Sequence, residues 1–467
     1  MPPHSLIILH TNDIHGRVED LARIATLVDR TRQGEAETPV LYLDAGDPED
    51  PSSRLSNLTK GAAMHRLLGI AGCDAAAVGN GGWLRYGPQV IRDHASAAPY
   101  PLLLANLRAT DGNLLPGAQP ATILRAGPLR LGVIGVCAKM DEFSGFFGLS
   151  ALPALPLIRE LAASLRQDGA DMVVLISHMG LPADRELAAG LQDDVIAIIG
   201  GHTHDLLPEG ERIGRVLVAQ AGKYAEHLGR VEIALTGSCW LATRASVIPI
   251  RAAVPRSPSV LAEAQVIEAE CEEFLNEVIG DLAEALDFAI DRECGVADWM
   301  ADVLRERMGA EVAVVAAGQA FIGPLQAGPL RRRTLWDVCS STANPGLASL
   351  TGAQLAALVA KGLDPVFAAT TDHALRGSPR GLLHVSGATV RERQLLIAGK
   401  PVDPDRLYRV AGTDWELEPY GGYADPAWAL SPRYDAPTIL REALEEHLAT
   451  HRPVQVRLGR LGGCARA

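Results

Sequence analysis

Short runs of aliphatic and β-branched residues recur along the first 250 positions, and between them apolar residues return every three or four places against a polar background. The first pattern predicts short strands buried on both faces and the second predicts amphipathic helices. Strands are predicted at 5–9, 40–43, 75–78, 102–105, 131–136, 172–176, 197–199, 216–219 and 230–235, and helices at 20–33, 61–71 and 155–168. Such alternation gives stacked α and β layers. A proline-punctuated stretch at 248–258 breaks the rhythm, and an acidic helical run follows at 260–278. Beyond it the pattern resumes, with helices at 295–308 and 351–361 and strands at 311–316, near 382–385 and near 408–412. The chain therefore divides into a first domain over 1–250, a linker and helix over 251–279, and a second, smaller α/β domain over 280–467. No internal repeat, heptad run or low-complexity tract interrupts this plan.

Composition narrows the picture further. At 467 residues the length suits two or three domains. Lys plus Arg total 43 against 56 Asp plus Glu, a formal charge of −13, which argues against a grip on nucleic-acid phosphates. The hydrophobic fraction of 48% with 21% charged residues excludes disorder as the main state. Seven scattered cysteines (Cys73, Cys137, Cys239, Cys271, Cys294, Cys339 and Cys464) form no CxxC pair, so neither a disulfide framework nor a thiolate zinc site is expected. The first residues lack a basic leader and the apolar run 5–9 is too short to span a bilayer. A soluble, cytoplasmic protein with no membrane partner is the expectation.

Candidate chemistry gathers just after the predicted strands, where layered α/β proteins place reactive loops. His10-Thr11-Asn12-Asp13-Ile14-His15-Gly16 follows the first strand and Asp44-Ala45-Gly46-Asp47 the second. Gly79-Asn80, Ser177-His178 and Gly200-Gly201-His202-Thr203-His204 follow three others. Any one such residue is ordinarily a cap or a turn. Together, Asp13, His15, Asp47, Asn80, His178, His202 and His204 supply seven nitrogen and oxygen ligand types from five strand ends. Imidazole, carboxylate and amide without thiolate suit Mn, Zn, Fe or Co.

In this order DxH, GD, GN, SHxG and GHTH resemble the motifs of the calcineurin-like metallophosphatases, and specifically the 5'-nucleotidase group. The likeness extends through Gln220-Ala221-Gly222-Lys223-Tyr224-Ala225-Glu226-His227-Leu228-Gly229-Arg230 and covers most of the chain. It implies a four-layer α/β fold, a metallophosphatase β-sandwich flanked by helices, followed by a smaller α/β substrate domain. It also implies two divalent metal ions about 3.5 to 4 Å apart. Asp13, His15, Asp47 and His204 would hold one, and Asp47, Asn80, His178 and His202 the other, with Asp47 bridging. Two such cations neutralise a tetrahedral oxyanion and lower the pKa of coordinated water, providing hydroxide as nucleophile near neutral pH.

Two segments depart from the group's pattern. Where GN is ordinarily followed by a catalytic His and an acid, this chain reads Asn80-Gly81-Gly82-Trp83-Leu84-Arg85-Tyr86. Loss of a general acid costs about 10²- to 10⁴-fold in rate, most for a poor leaving group. Arg85 is the candidate catalytic replacement, as an electrostatic stabiliser, with His94 and His227 behind it. Gly81 and Gly82 would alternatively open room beside the metals. In the second domain an NxGxxR-like segment reads Ala316-Ala317-Gly318-Gln319-Ala320-Phe321, without the Asn or the Arg, and a GGDGY-like segment reads Tyr420-Gly421-Gly422-Tyr423-Ala424, without the Asp. Phe321, Tyr420 and Tyr423 are the candidates for substrate binding by stacking, unless they are core or turn residues.

The expected function is hydrolysis of a phosphate ester or anhydride, with a small anionic substrate such as a nucleotide or another phosphate ester. Two other readings stay open. One is thiosulfohydrolase-like hydrolysis at sulfur; the other is a metal-binding but non-catalytic protein that captures an anion or a partner.

Overall fold

A computed structural model describes residues 4–35, 37–140, 145–339, 341–371 and 379–462. Its contacts divide the chain into two units, Met1–Cys271 and Glu272–Ala467. Cys464 lies outside the described residues; the other six cysteines are free thiols. Among the described residues no helix is long and apolar enough to cross a membrane.

Two sheets form the centre of the first unit. One has seven strands, in which Ser5–Thr11, Val40–Asp44, Ala75–Ala77, Leu102–Leu103 and Ala118–Gln119 run parallel. The hairpin His227–Thr236 and Cys239–Pro249 completes it antiparallel to the first strand. The other has six, in which Leu129–Cys137, Met172–His178, Ala197–Gly200 and Val216–Ala219 run parallel between antiparallel edges Ala121–Ala126 and Glu211–Ile213.

The two-residue period of a strand explains the layering. Leu6 and Ile8 enter the core between the sheets, together with Val174 and Ile176 from the second sheet. Their neighbours Ile7 and Leu9 face helices Val18–Gly34 and Ala62–Ile70, and Val173 and Leu175 face helices Ala154–Gln167 and Leu181–Gly190. Both faces are covered, so these strands read as unbroken apolar runs, and the result is four layers, α/β/β/α. Helix Pro258–Asn276 carries Val260, Ala264, Ile267 and Cys271 on one stripe, and this stripe packs into the core of the first unit.

In the two sheets of the first unit, the strands that the apolar runs did not reveal are edges. Ala121–Ala126 is half-exposed along most of its length and Cys239–Pro249 mixes exposed polar with buried positions, so neither presents a continuous apolar signal. The run expected to stay helical to 278 ends at Asn276, and Val278 opens a strand, Val278–Leu282.

A five-stranded mixed sheet organises the second unit, with Val312–Ala316 between Leu383–Ser386 and Leu407–Thr413. Ala313 and Val315 pack with helix Gly295–Arg307 on one face. Val312, Val314 and Ala316 pack with helix Gly352–Gly362 on the other. That helix starts at a capping box in which Thr351 and Gln354 satisfy each other's backbone N–H groups.

Candidate metal centre

Parallel strands in both sheets of the first unit end at one edge, and five of them deliver the ligand-type residues. Asp13 and His15 follow Ser5–Thr11, Asp47 follows Val40–Asp44, and Asn80 follows Ala75–Ala77. His178 is the last residue of Met172–His178, and His202 and His204 follow Ala197–Gly200. Five of the seven, Asp13, His15, Asp47, His202 and His204, have φ between 49° and 77°. Non-glycine residues rarely occupy this left-handed region, and such strain persists where surrounding structure imposes it, often at functional sites.

Two groups of ligand atoms converge, Asp13 with His15 and His204, and Asp13 with Asp47 and His178. Asp13 Oδ1 lies 3.3 Å from His204 Nε2, 3.7 Å from His15 Nε2 and 3.9 Å from His178 Nε2. Nε2 atoms of His15 and His204 are 3.1 Å apart, and His178 Nε2 is 3.3 Å from Asp47 Oδ2. The rings of His178 and His202 stand 5.2 Å apart. Asp13 Oδ1, Asn80 Oδ1 and His178 Nε2 are buried without a hydrogen-bond partner. Buried polar atoms are normally satisfied, and here three of them are ligand atoms at one edge, the pattern expected of a site that fits cations.

The opposite side of each group is held in place. Asp13 Oδ2 accepts from Asn12 Nδ2 at 2.7 Å and from the His202 backbone N–H at 2.9 Å. His178 Nδ1 meets the Ala45 carbonyl at 2.7 Å and His15 Nδ1 the Glu49 carbonyl at 3.3 Å, which turns Nε2 of each ring to the ligand side, the arrangement common behind metal-ligating histidines. Asp47 Oδ1 accepts from the Gly81 N–H at 2.8 Å. Gly46, at φ +101°, admits no side chain, because a Cβ there would fall 2.7 Å from His178 Nδ1 and 2.9 Å from the Gly79 backbone.

Charge follows from this packing. Burial pushes the Asp13 carboxyl upward, but His204 and His178 beside it outweigh it and lower the pKa. Burial works against a charged His178, yet Asp47 beside it lifts the pKa to about 10. A cation at this edge would have to displace that proton. Asp44, behind the loop, is raised by burial to about 7 against hydrogen bonds from Thr11 and the Gly46 N–H.

Asn12 was not singled out by its residue type. Its amide ties Asp13 to the 220–230 segment, donating to the Gly222 carbonyl at 2.6 Å and accepting from the Ala221 N–H at 2.9 Å. Tyr224 N–H donates to the Asp13 carbonyl at 2.7 Å, and its ring packs edge-on to His15. Asn12 precedes Asp13 in the same loop, the one hint the sequence offered.

The remaining candidates are dispersed. Arg85 sits on the short helix Gly81–Tyr86 with its guanidinium 4.8 Å from the Tyr86 ring centroid. His94 is buried on helix Val90–Ala97, and His227 opens the strand His227–Thr236. Gly82 opens no room: a Cβ there would meet Glu49 Oε1 at 2.5 Å and His94 Cε1 at 2.7 Å. In the second unit Phe321 is 1% exposed within one core cluster and Tyr423 3% exposed within another. Both rings are packed inside the second unit. Tyr420, 58% exposed, is the accessible member of the three, its hydroxyl donating to Asp414 Oδ2 at 2.9 Å.

Residues 278–425 match the family model of the 5'-nucleotidase, C-terminal domain. The chain is 26% identical over 428 residues to the uncharacterized metallophosphoesterase YunD of Bacillus subtilis, an alignment covering 88% of this chain and 92% of that one. It is 24% identical over 344 residues to a 5'-nucleotidase of Diplobatis ommata, covering 65% of this chain and 59% of that protein, so less than two thirds of the second relative is spanned. Among solved structures, the NAD nucleotidase of Haemophilus influenzae aligns over 97% of each chain with a TM-score of 0.58 at 14% identity, a likeness of fold.

Proposed function

We propose that this chain, a relative of the 5'-nucleotidases and metallophosphoesterases that carries their C-terminal domain, is a divalent-metal-dependent hydrolase of a small phosphate ester or anhydride. The observation that carries the reading is the convergence of Asp13, His15, His204, Asp47 and His178 where parallel strands of both sheets end, with three buried ligand atoms left without hydrogen bonds. Asp13, His15, Asp47 and His204 would hold one cation, and Asp47, Asn80, His178 and His202 a second. When bound, the cations supply Lewis-acid charge for a phosphoryl oxyanion and activation of water.

The protein's own groups set the rest. Asn12 and the His202 N–H aim Oδ1 of Asp13 at the histidines, and the Ala45 and Glu49 carbonyls fix the tautomers of His178 and His15. With glycine at position 81 no imidazole follows Asn80 to protonate the leaving group. The reading therefore favours leaving groups that depart without a proton, such as an aryl oxide or a phosphate, over the alkoxide of a nucleoside monophosphate. Tyr420 is the exposed aromatic available for contact with a substrate ring.

The test is turnover of an aryl phosphate, an aryl phosphodiester, a nucleoside diphosphate and a nucleoside monophosphate by the full chain with added Mn. Activity that exceeds Asp47→Asn and His202→Ala controls, ranked aryl ester or anhydride above monophosphate, supports the reading. Absence of turnover above those controls, alongside tight phosphate binding, moves the function to anion capture.

A further inference from the structure

Beside the altered loop lies a second convergence of ligand-type side chains, which the proposed reaction does not use. Glu49 stands two residues beyond Asp47, His65 on helix Ala62–Ile70 and His94 on helix Val90–Ala97, and each is at most 3% exposed. One carboxylate oxygen and one nitrogen from each imidazole lie within 4.8 Å of one another. The rings of His65 and His94 are 4.4 Å apart.

Each imidazole has one nitrogen already engaged. His94 Nε2 lies 2.7 Å from the Lys60 carbonyl, which can only accept, so that nitrogen carries the proton and Nδ1 keeps its lone pair. His65 Nδ1 meets the Tyr100 hydroxyl at 3.1 Å. His65 Nε2 and Glu49 Oε2 then face each other at 3.4 Å, both buried and neither in a hydrogen bond. The metal centre described above shows the same signature at His178, whose Nδ1 is held by a carbonyl and whose orphaned Nε2 lies 3.3 Å from a carboxylate oxygen. A ring nitrogen and a carboxylate oxygen that face each other without hydrogen-bond geometry stand as two ligands of one ion would.

From this arrangement we infer that Glu49, His65 and His94 form a further divalent-cation site, next to the loop that carries Asp47. One carboxylate and two imidazoles are a ligand set that Zn accepts in a tetrahedral site with a fourth position open, and that Mn, Fe and Co accept also. The departure at Gly82 fits this assignment, because a side chain there would collide with Glu49 Oε1 and with His94. An ion at this position fastens the two histidine helices to the loop of Asp47.

The assignment stands apart from the proposed reaction and is tested apart from it. Full-length protein is stripped with chelator, reloaded with Zn or with Mn, and dialysed, and metal per chain is counted by mass spectrometry. Three ions per wild-type chain, falling to two in His94→Gln, and one ion surviving in a variant carrying both Asp47→Ala and His178→Ala, are the expected results. Anomalous diffraction at the metal edge from loaded wild-type crystals needs no variant to fold and decides the matter directly. A peak among Glu49, His65 and His94 supports the site whether or not the first centre is filled. No peak there, with metal at the Asp13 and Asp47 groups, overturns it and leaves a buried ion pair. Absence of metal at the Asp13 and Asp47 groups with a peak at Glu49 would instead defeat the dinuclear reading.

Discussion

The strand-end loops of the first unit and the corresponding segments of the second have had opposite fates. In the first, all seven ligand-type residues are present, and five hold a left-handed backbone that only function or surrounding constraint explains. In the second, the strand end at Ala316 runs into a short helix whose next residue, Phe321, is sealed in the core. A metal cage tolerates little change because each ligand must be a particular donor at a particular distance. A substrate surface can exchange a polar contact for packing and keep its fold. The difference teaches that a set of ligand-type residues and an aromatic surface are held by separate constraints in this molecule.

Removal of a shared ligand should break the comparison most completely. Asp47→Ala deletes a carboxylate that faces His178 and accepts from Gly81, and should lower turnover to the level of the chelator-stripped protein and empty the Asp13 and Asp47 groups of metal, read by a phosphate-release assay and metal analysis. Phe321→Ala should cost about 3 to 5 kcal/mol of unfolding free energy in the second unit while leaving metal content unchanged, as checked by denaturant titration. If it raised KM without loss of stability, the packing role assigned to Phe321 would be wrong.

Smaller effects sharpen the contrast. Gly81→His should raise turnover of a nucleoside monophosphate relative to an aryl phosphate by about 10²-fold, the lower end of what a positioned acid contributes, because its Cβ would lie 3.2 Å from Asp47 Oδ1 and require a slight shift. Asn12→Ala removes a hydrogen bond behind Asp13 and should weaken metal affinity by about 10- to 100-fold, measured by competition with a chromophoric chelator. Tyr420→Ala should be the mildest, raising KM for a nucleotide by an amount near the low end of the about 1 to 3 kcal/mol that stacking supplies, with kcat and stability unmoved.

Much of this was legible in the residues themselves. Strands buried on both faces announce themselves as apolar runs, so Met172–His178 and Val216–Ala219 were predicted nearly to their ends. The ligand types that follow those runs were legible for the same reason, since a strand end fixes where a loop begins. Edge strands such as Ala121–Ala126 were not, because one exposed face mixes polar residues into the pattern. Nor was the role of Asn12, whose importance lies in bonds to residues 209 and 210 positions away.

The sequence by itself determined the candidate donors, their order along the chain, the layered α/β class and the absence of an imidazole after Asn80. Local spacing suffices for these, since each depends on residues within one strand and its loop. Tertiary structure alone decided that Phe321 and Tyr423 are packing residues, that Gly82 makes way for Glu49 and His94, and that Glu49 and His65 face each other with unsatisfied atoms. Burial and close approach are properties of segments brought together from distant parts of the chain, and no window along the sequence contains both sides of such a contact.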